Sequence, residues 1–334
     1  MPSATAFTTV ACYQPDGVLT VADLPGLARL GEAERETVTQ LGIDEVRADD
    51  SLSAFDLAAG AASRALAESG LAADRIGALI LIDSRAPETL MTSSATRLQA
   101  HLGAERAVTF SVGGLGCVSL TPALLAARGL LAADQDLEHV LVAHGSKPPT
   151  PLRYRHPVTV SGDGGAAAVI SRSGPVRILD IVQETNGRYW DLFHVDFRDL
   201  PTARWREECR DLPGYSFQLA METRNRLRGL YQGLLERNGL TPADISRHLS
   251  HNLSEGAFRF TEEALDIKIS STCSDNLRRY GHLGPNDVLL NLHTELERGG
   301  LHDGQRAVLL SASPVAAWSL LLVEIGDGAA THYL

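Results

Sequence analysis

Lysine is nearly missing from this 334-residue chain: Lys147 and Lys268 are the only two, so arginine carries almost all of the positive charge. Acidic residues outnumber lysine plus arginine by 41 to 30, for a formal net charge of −11. That balance excludes general electrostatic binding of nucleic acid and leaves only local basic patches for an anionic partner. Cysteine is scarce and scattered. Cys12, Cys117, Cys209 and Cys273 form no CxxC pair, so neither a zinc ribbon nor a disulfide framework is expected, and free thiols in a cytoplasmic setting are. No run reaches the ~20 apolar residues of a membrane span. The N-terminus lacks the basic flank and long apolar core of a secretory signal. Aromatic residues make up only 5%, yet the 44% hydrophobic content is that of a globular chain. At ~150 residues per domain the length suggests two domains or one large one.

Strand-length apolar runs alternate with alanine-rich, helix-periodic segments, the pattern of an α/β protein with a buried sheet. Residues 78–82, 107–110, 139–143 and 166–170 read as strands of the first half, and 56–71 and 117–133 as its helices. After Arg172-Ser173-Gly174-Pro175 the pattern restarts with a strand at 176–181. A long helix over about 217–238, the segment 245–253, a helix over about 285–298 and strands at 307–311 and 318–325 follow. Two halves, 1–174 and 175–334, are the expected units.

The sharpest chemical signal is Ser111-Val112-Gly113-Gly114-Leu115-Gly116-Cys117-Val118-Ser119-Leu120, a strand running through a glycine-rich turn into a helix. A cysteine at a helix start meets free N–H groups and partial positive charge, which favour the nucleophilic thiolate. The bland reading of Cys117 is a small buried residue; the other cysteines, which lack this setting, are read as packing. A nucleophilic thiol needs a base. His251, in Leu249-Ser250-His251-Asn252, and His282, in Tyr280-Gly281-His282-Leu283-Gly284-Pro285-Asn286-Asp287, are the candidates. Asp287 lies five residues after His282, where it would orient and charge-stabilise the imidazole as the third member of a triad. Its bland role is to interact with the helix start. A metal site at His248-x-x-His251 is disfavoured because strand alternation points the two rings apart, and no metal is expected.

With these features in place, the chain resembles the thiolase-fold condensing enzymes, specifically the β-ketoacyl synthase III (KAS III)-like family and its acyltransferase branch. Gly116-Cys117, the stretch Ser161-Gly162-Asp163-Gly164-Gly165-Ala166, His251-Asn252 where the family has His-Gln-Ala-Asn, and Tyr280-Gly281-His282 where it has Tyr/His-Gly-Asn carry the likeness. The resemblance implies an α/β thiolase fold, two pseudo-twofold-related βαβαβαββ halves in a five-layer αβαβα sandwich. It also implies a homodimer, with a loop around Leu90 and Met91 reaching toward the partner's acyl pocket. Asn252, Leu90, Met91 and Val315 are the substrate-binding candidates on this basis. No cofactor is implied beyond acyl-phosphopantetheine or acyl-CoA as substrate.

The departures sharpen the expected function. His282 stands where condensing members have asparagine, and a neutral imidazole can take a proton that an amide cannot. The expected reaction is therefore ping-pong acyl transfer in polyketide or other secondary-metabolite assembly, such as antibiotic biosynthesis. Cys117 takes the acyl group, and His282 with Asp287 activates a hydroxyl, amine or carrier-thiol acceptor, so that only this second half-reaction needs the base. His251 keeps a KAS III-type starter condensation as the alternative. A catalytically silent partner subunit is a further rival. The segment Glu36–Ile43 lacks the tryptophan and arginine that clamp adenine in CoA-binding members, which favours an acyl carrier protein as donor. Arg204, Arg206, Arg210, Arg224 and Arg228 are candidate docking residues for that acidic partner. Pro314 lacks an N–H, leaving Val315 or Ala316 with Cys117 as oxyanion donors. Asp163 reads as turn chemistry.

Overall fold

A computed structural model describes residues 5–24, 26–150 and 152–326. The first half contributes β1 (Thr5–Tyr13), β2 (Ile76–Ile82), β3 (Val108–Val112), β4 (His139–Ser146) and β5 (Gly164–Ser171). The second contributes β6 (Val176–Thr185), β7 (Arg247–Ser250), β8 (Arg306–Ser313) and β9 (Ala317–Ile325). They join in the order β7-β8-β9-β6-β1-β5-β4-β2-β3. The first half alone runs β3-β2-β4-β5-β1, with the first two pairings parallel and the last two antiparallel. The second repeats this order and these senses, its third strand reduced to a single parallel bridge between His248 and Ile269. A short antiparallel contact between β1 and β6 joins the copies.

Eight α-helices complete the layers: α1 (Glu32–Gln40), α2 (Ala54–Ser69), α3 (Ser94–Leu102), α4 (Leu120–Ala133), α5 (Ala220–Asn238), α6 (Glu255–Leu265), α7 (Ser271–Tyr280) and α8 (Asp287–Glu297). Side-chain alternation along the strands builds three apolar cores. In β2, Leu79 and Leu81 point to a core shared with α2, whereas Ala78, Ile80 and Ile82 point to one shared with α4 and α8. In β8, Val308 and Leu310 join Leu230 and Leu234 of α5 in a third core, while Ala307 and Leu309 face the middle. Helices α2 and α3 thus cover one outer face, α5 the other, and α4 with α8 fill the centre. This is the five-layer arrangement, a mixed α/β thiolase fold.

Gly116–Ala133 is long and apolar enough by composition to cross a membrane, with a mean hydropathy of 1.5 over 18 residues. It is instead the central helix with its lead-in turn, apolar because it packs against strands of both halves. The helix expected at 56–71 begins earlier, at Ala54, because Ser53 and Asp56 cap each other there, and it stops at Gly70 in the left-handed region. The segment 217–238 opens as a π-helical turn, Gly214–Leu219, before α5 begins.

Candidate functional site

Cys117 sits in a single 3-10 turn, Gly116–Val118, one turn before α4 rather than at its first residue. Gly116 has φ +55°, and a Cβ there would lie 2.5 Å from Ser313 Oγ, so glycine is required. Ser119 Oγ accepts from the Leu115 N–H at 3.2 Å and fixes the turn. His282 is supplied by the other half, just before α8. Its N–H donates to the Val160 carbonyl at 2.9 Å and its carbonyl accepts from the Gly162 N–H at 3.1 Å, so the Ser161–Gly165 stretch holds it in place. Gly281, at φ +61°, allows this approach: a Cβ there would lie 2.5 Å from the Val160 carbonyl oxygen.

These two supports bring Cys117 Sγ to 3.2 Å from His282 Nε2. On the far side of the ring, Nδ1 is 2.6 Å from Asp287 Oδ2. The Asp287 carboxylate is fully buried and also accepts the N–H groups of Leu283 at 2.7 Å and Asn252 at 2.8 Å. Burial pushes the Cys117 thiol up, but His282, then Arg85 and Arg155, more than offset this and hold it below the ordinary thiol range. Burial pushes His282 down, yet the Cys117 and Asp287 charges overcome it and raise the imidazole to about 10. Both shifts favour the thiolate–imidazolium form of the pair over the neutral one. The nitrogen expected to serve the acceptor step is thus also the one that faces the Cys117 sulfur. By contrast, burial drives the buried thiols of Cys12 and Cys273 up to about 12 and raises that of half-buried Cys209 as well.

Both residues open on a cavity of about 780 Å³ lined by elements of the two halves, a volume in the range that holds small-molecule ligands. Leu90 and Val315 line it, Leu90 within its own subunit where a reach toward the partner's pocket was expected. Met91 is fully exposed and points elsewhere. Asn252 is not a substrate contact: it is completely buried, its N–H bound to Asp287 and its Oδ1 accepting from Asn291 Nδ2 at 2.8 Å, so it braces the carboxylate. Ala316 drops out as an oxyanion donor because its N–H is turned to the Ser313 carbonyl at 2.9 Å. That leaves Val315, beside the 3-10 turn that presents Cys117.

His251 follows β7 and is buried near His282 and Asp287. Burial, then His282, pushes it down to about 4, so it is a neutral imidazole. Neither ring nitrogen has a hydrogen-bond partner among the described residues. His144 lines the cavity, also held near 4 by burial, and its Nδ1 is 3.0 Å from Asn286 Oδ1. Because Asn286 Nδ2 donates to the Gly164 carbonyl, Asn286 Oδ1 faces the ring as acceptor. Nδ1 carries the proton and Nε2 is left as an acceptor. Asp163 is no turn residue: fully buried, it binds Arg153 through both carboxylate oxygens, at 2.6 and 3.1 Å, and meets Lys147 at 3.4 Å. The docking candidates separate. Arg204 and Arg206 are exposed on either side of Trp205, a lining residue at the cavity. Arg210 is paired with Asp191 at 3.0 Å. Arg224 and Arg228 belong to α5 and do not line the cavity; Arg228 donates to the Ala264 carbonyl at a second cavity between α5 and α6, which rules it out as part of a mouth-side docking face.

Three lining residues carried no sequence signal: Arg85, Arg155 and Glu207. They come from separate loops and share no spacing, so only folding brings them together.

Residues 235–325 match the family model described as 3-oxoacyl-[acyl-carrier-protein (ACP)] synthase III C terminal. The chain is 25% identical over 319 residues to the β-ketoacyl-[acyl-carrier-protein] synthase III of Bacillus pumilus, covering 94% of this chain and 96% of that protein. It is 26% identical over 324 residues to that of Geobacillus kaustophilus, covering 95% and 97%. Among solved structures, 3-oxoacyl-(acyl carrier protein) synthase III from Pseudomonas aeruginosa superposes with TM-score 0.79 at 20% identity, over 97% of this chain and 99% of that one. The acyltransferase ChlB3 superposes with TM-score 0.82 at 21% identity, over 98% and 99%. The family model over the C-terminal part and the full-length likenesses make the chain similar to the β-ketoacyl-[acyl-carrier-protein] synthase III (KAS III) proteins, and the superpositions show that it has their thiolase fold.

Proposed function

We propose that the protein is a KAS III-like acyltransferase that moves an acyl group from an acyl-carrier-protein thioester, through Cys117, to a hydroxyl, amine or carrier-thiol acceptor. The Cys117–His282–Asp287 relay carries this reading: an imidazole backed by a buried carboxylate returns a proton to the line of chemistry where an asparagine amide could only donate a hydrogen bond. The thiolate attacks the thioester carbonyl, and in this reading the Val315 and Cys117 N–H groups receive the oxyanion. As the tetrahedral intermediate collapses, the carbon–sulfur bond to pantetheine breaks and the departing thiolate takes the His282 proton. His282, now neutral, takes a proton from the acceptor, whose oxygen, nitrogen or sulfur attacks the acyl-enzyme. Cys117 leaves as thiolate beside a renewed imidazolium. Each turnover sends one proton out on the pantetheine thiol and takes one in from the acceptor, and Asp287 stabilises the ring whenever it is charged.

A carrier protein as donor is supported by the absence of an adenine clamp in Glu36–Ile43 and by exposed Arg204 and Arg206 near the cavity. A homodimer fits the edge strand β3, on which Val108 is 60% exposed, and the outward Leu90–Met91 loop; a cytoplasmic place in secondary-metabolite assembly is part of the same proposal. The second reading is starter condensation. It is favoured by His251, a neutral imidazole with unpartnered nitrogens that would hydrogen-bond an enolate oxygen.

Incubation of the enzyme with an acyl donor and malonyl carrier protein separates the two. Acyl transfer without carbon dioxide release supports the acyltransferase; a ketoacyl product with stoichiometric carbon dioxide ends it. Failure of Cys117 to gain any acyl mass, in an otherwise folded protein, would instead favour the silent partner subunit.

A further inference from the structure

The catalytic relay leaves three charged residues of the same cavity without a task. Glu207 accepts a hydrogen bond from Arg85 Nη1 at 3.0 Å and lies 2.8 Å from Arg155 Nε, so one carboxylate faces two guanidinium groups. No second carboxylate among the described residues pairs with either arginine. Asp83 also lines the cavity, but among the described residues it forms no ion pair with either arginine. Lys147 is turned onto the carbonyls of Asp49 and Leu52 and onto Asp163. Arg155 is only 5% exposed, and its Nη1 has no hydrogen-bond partner among the described residues. A buried guanidinium donor left open is costly, and a carboxylate is its natural bidentate complement. Arg85 lies against the nucleophile's own turn: a Cβ built on Gly116 would stand 3.0 Å from its Nη2.

We propose that Arg85 and Arg155 form a carboxylate subsite beside Cys117, and that the acyl group carried on the sulfur bears a free carboxylate of its own, as a short dioic acyl group does. This rests on the acyl-enzyme reading above. In the resting enzyme the Cys117 thiolate is the second anion that the guanidinium pair faces. Acylation removes that charge, since the sulfur electron pair becomes the bond to the acyl carbon and the pantetheine thiol departs with the His282 proton. The distal carboxylate of the acyl group takes its place. A donor's pantetheine phosphate is the other anion at hand, but the whole pantetheine arm separates it from the sulfur, whereas the Arg85 guanidinium lies where a side chain on residue 116 would point.

Intact-protein mass spectrometry of the full chain tests this by timing Cys117 loading from succinyl- and glutaryl-N-acetylcysteamine. Their neutral isosteres are 4-oxopentanoyl- and 5-oxohexanoyl-N-acetylcysteamine. The expected result is loading at least ~10-fold faster for an anionic donor than for its isostere, about 1.4 kcal/mol of discrimination. In Arg155→Met the ratio should fall toward one, and Arg155→Lys should recover part of it, because the charge returns without the planar fork. Arg85→Met is the second variant should Arg155→Met fail to fold. Equal loading of anion and isostere by the native enzyme overturns the subsite alone. So does an Arg155→Met variant that slows both donors equally while shifting iodoacetamide alkylation of Cys117 to higher pH, since the arginines would then only tune the thiolate. Absence of any adduct from all four thioesters overturns the acyl-enzyme reading and the subsite with it.

Discussion

Cys117 and His282 are 165 residues apart in sequence and 3.2 Å apart in space, and each precedes the central helix of its own half. Their contact crosses the pseudo-twofold seam.

Replacement of His282 by asparagine tests the double role that this contact gives the imidazole. Without it the thiolate loses its main stabilising charge and the acceptor loses its base. Acyl loading and acyl transfer should both slow, each by ~10²-fold or more, as followed by intact mass in pre-steady-state mixing. Loading at the native rate would confine His282 to the second step.

The pH profile of loading follows from the signs of the two shifts. The thiol is held below its ordinary value and the imidazole is raised to about 10. Loading should rise as Cys117 deprotonates at a pH below the ordinary thiol range and fall as His282 loses its proton near 10. Iodoacetamide alkylation of the free enzyme reports the lower limb; a midpoint at or above that of a free thiol would contradict the ion pair.

Asp287→Asn removes a buried carboxylate that accepts from His282, Leu283 and Asn252. The imidazolium then loses its partner, and the amide must turn a donor toward groups that themselves donate. Turnover should fall by ~10²- to 10⁴-fold, in line with the loss seen when a triad carboxylate becomes an amide. The melting temperature should fall as well, measured by circular dichroism. Native-like turnover would reduce Asp287 to a helix-start residue.

The Arg153–Asp163 pair is a separate matter of stability. Asp163 is fully buried and sits next to the stretch that holds His282. Arg153→Met would strand that charge with Lys147 alone and should cost ~3–5 kcal/mol in chemical denaturation. A loss below ~1 kcal/mol would show that Lys147 and water suffice.

Carrier-protein docking at the cavity mouth predicts that Arg204→Glu with Arg206→Glu lowers loading from an acyl carrier protein relative to loading from a small thioester, by ~10-fold at low salt. Arg228→Glu, on the outer helix α5, should leave that ratio where it is. Equal ratios in all three proteins would place docking on another face.

How much of this was legible in the sequence depended on locality. Cys117 betrayed itself by the glycines that its turn requires, and His282 and Asp287 by lying within one six-residue stretch at a helix start. The alternating strands were readable because two-sided burial writes continuous apolar runs, although their ends shifted by a few residues. What failed was whatever depended on distant partners. Asn252 looked like a substrate contact but faces Asp287 and Asn291. Asp163 looked like a turn residue because nothing near it in sequence announces Arg153 or Lys147. Arg85, Arg155 and Glu207 went unnoticed since three separate loops deliver them. Arg224 and Arg228 shared a charge cluster with Arg204 only along the chain, not on the surface.

The repeated strand order has one more consequence. Because nucleophile and proton carrier descend from opposite copies, catalysis reports the relative seating of the two repeats as much as the chemistry of either. A slip of the two copies by ~1 Å, with every side chain intact, would silence turnover ~10²-fold. Substitutions along the β1–β6 seam, remote from any substrate, are therefore where inactive yet well-folded variants should accumulate.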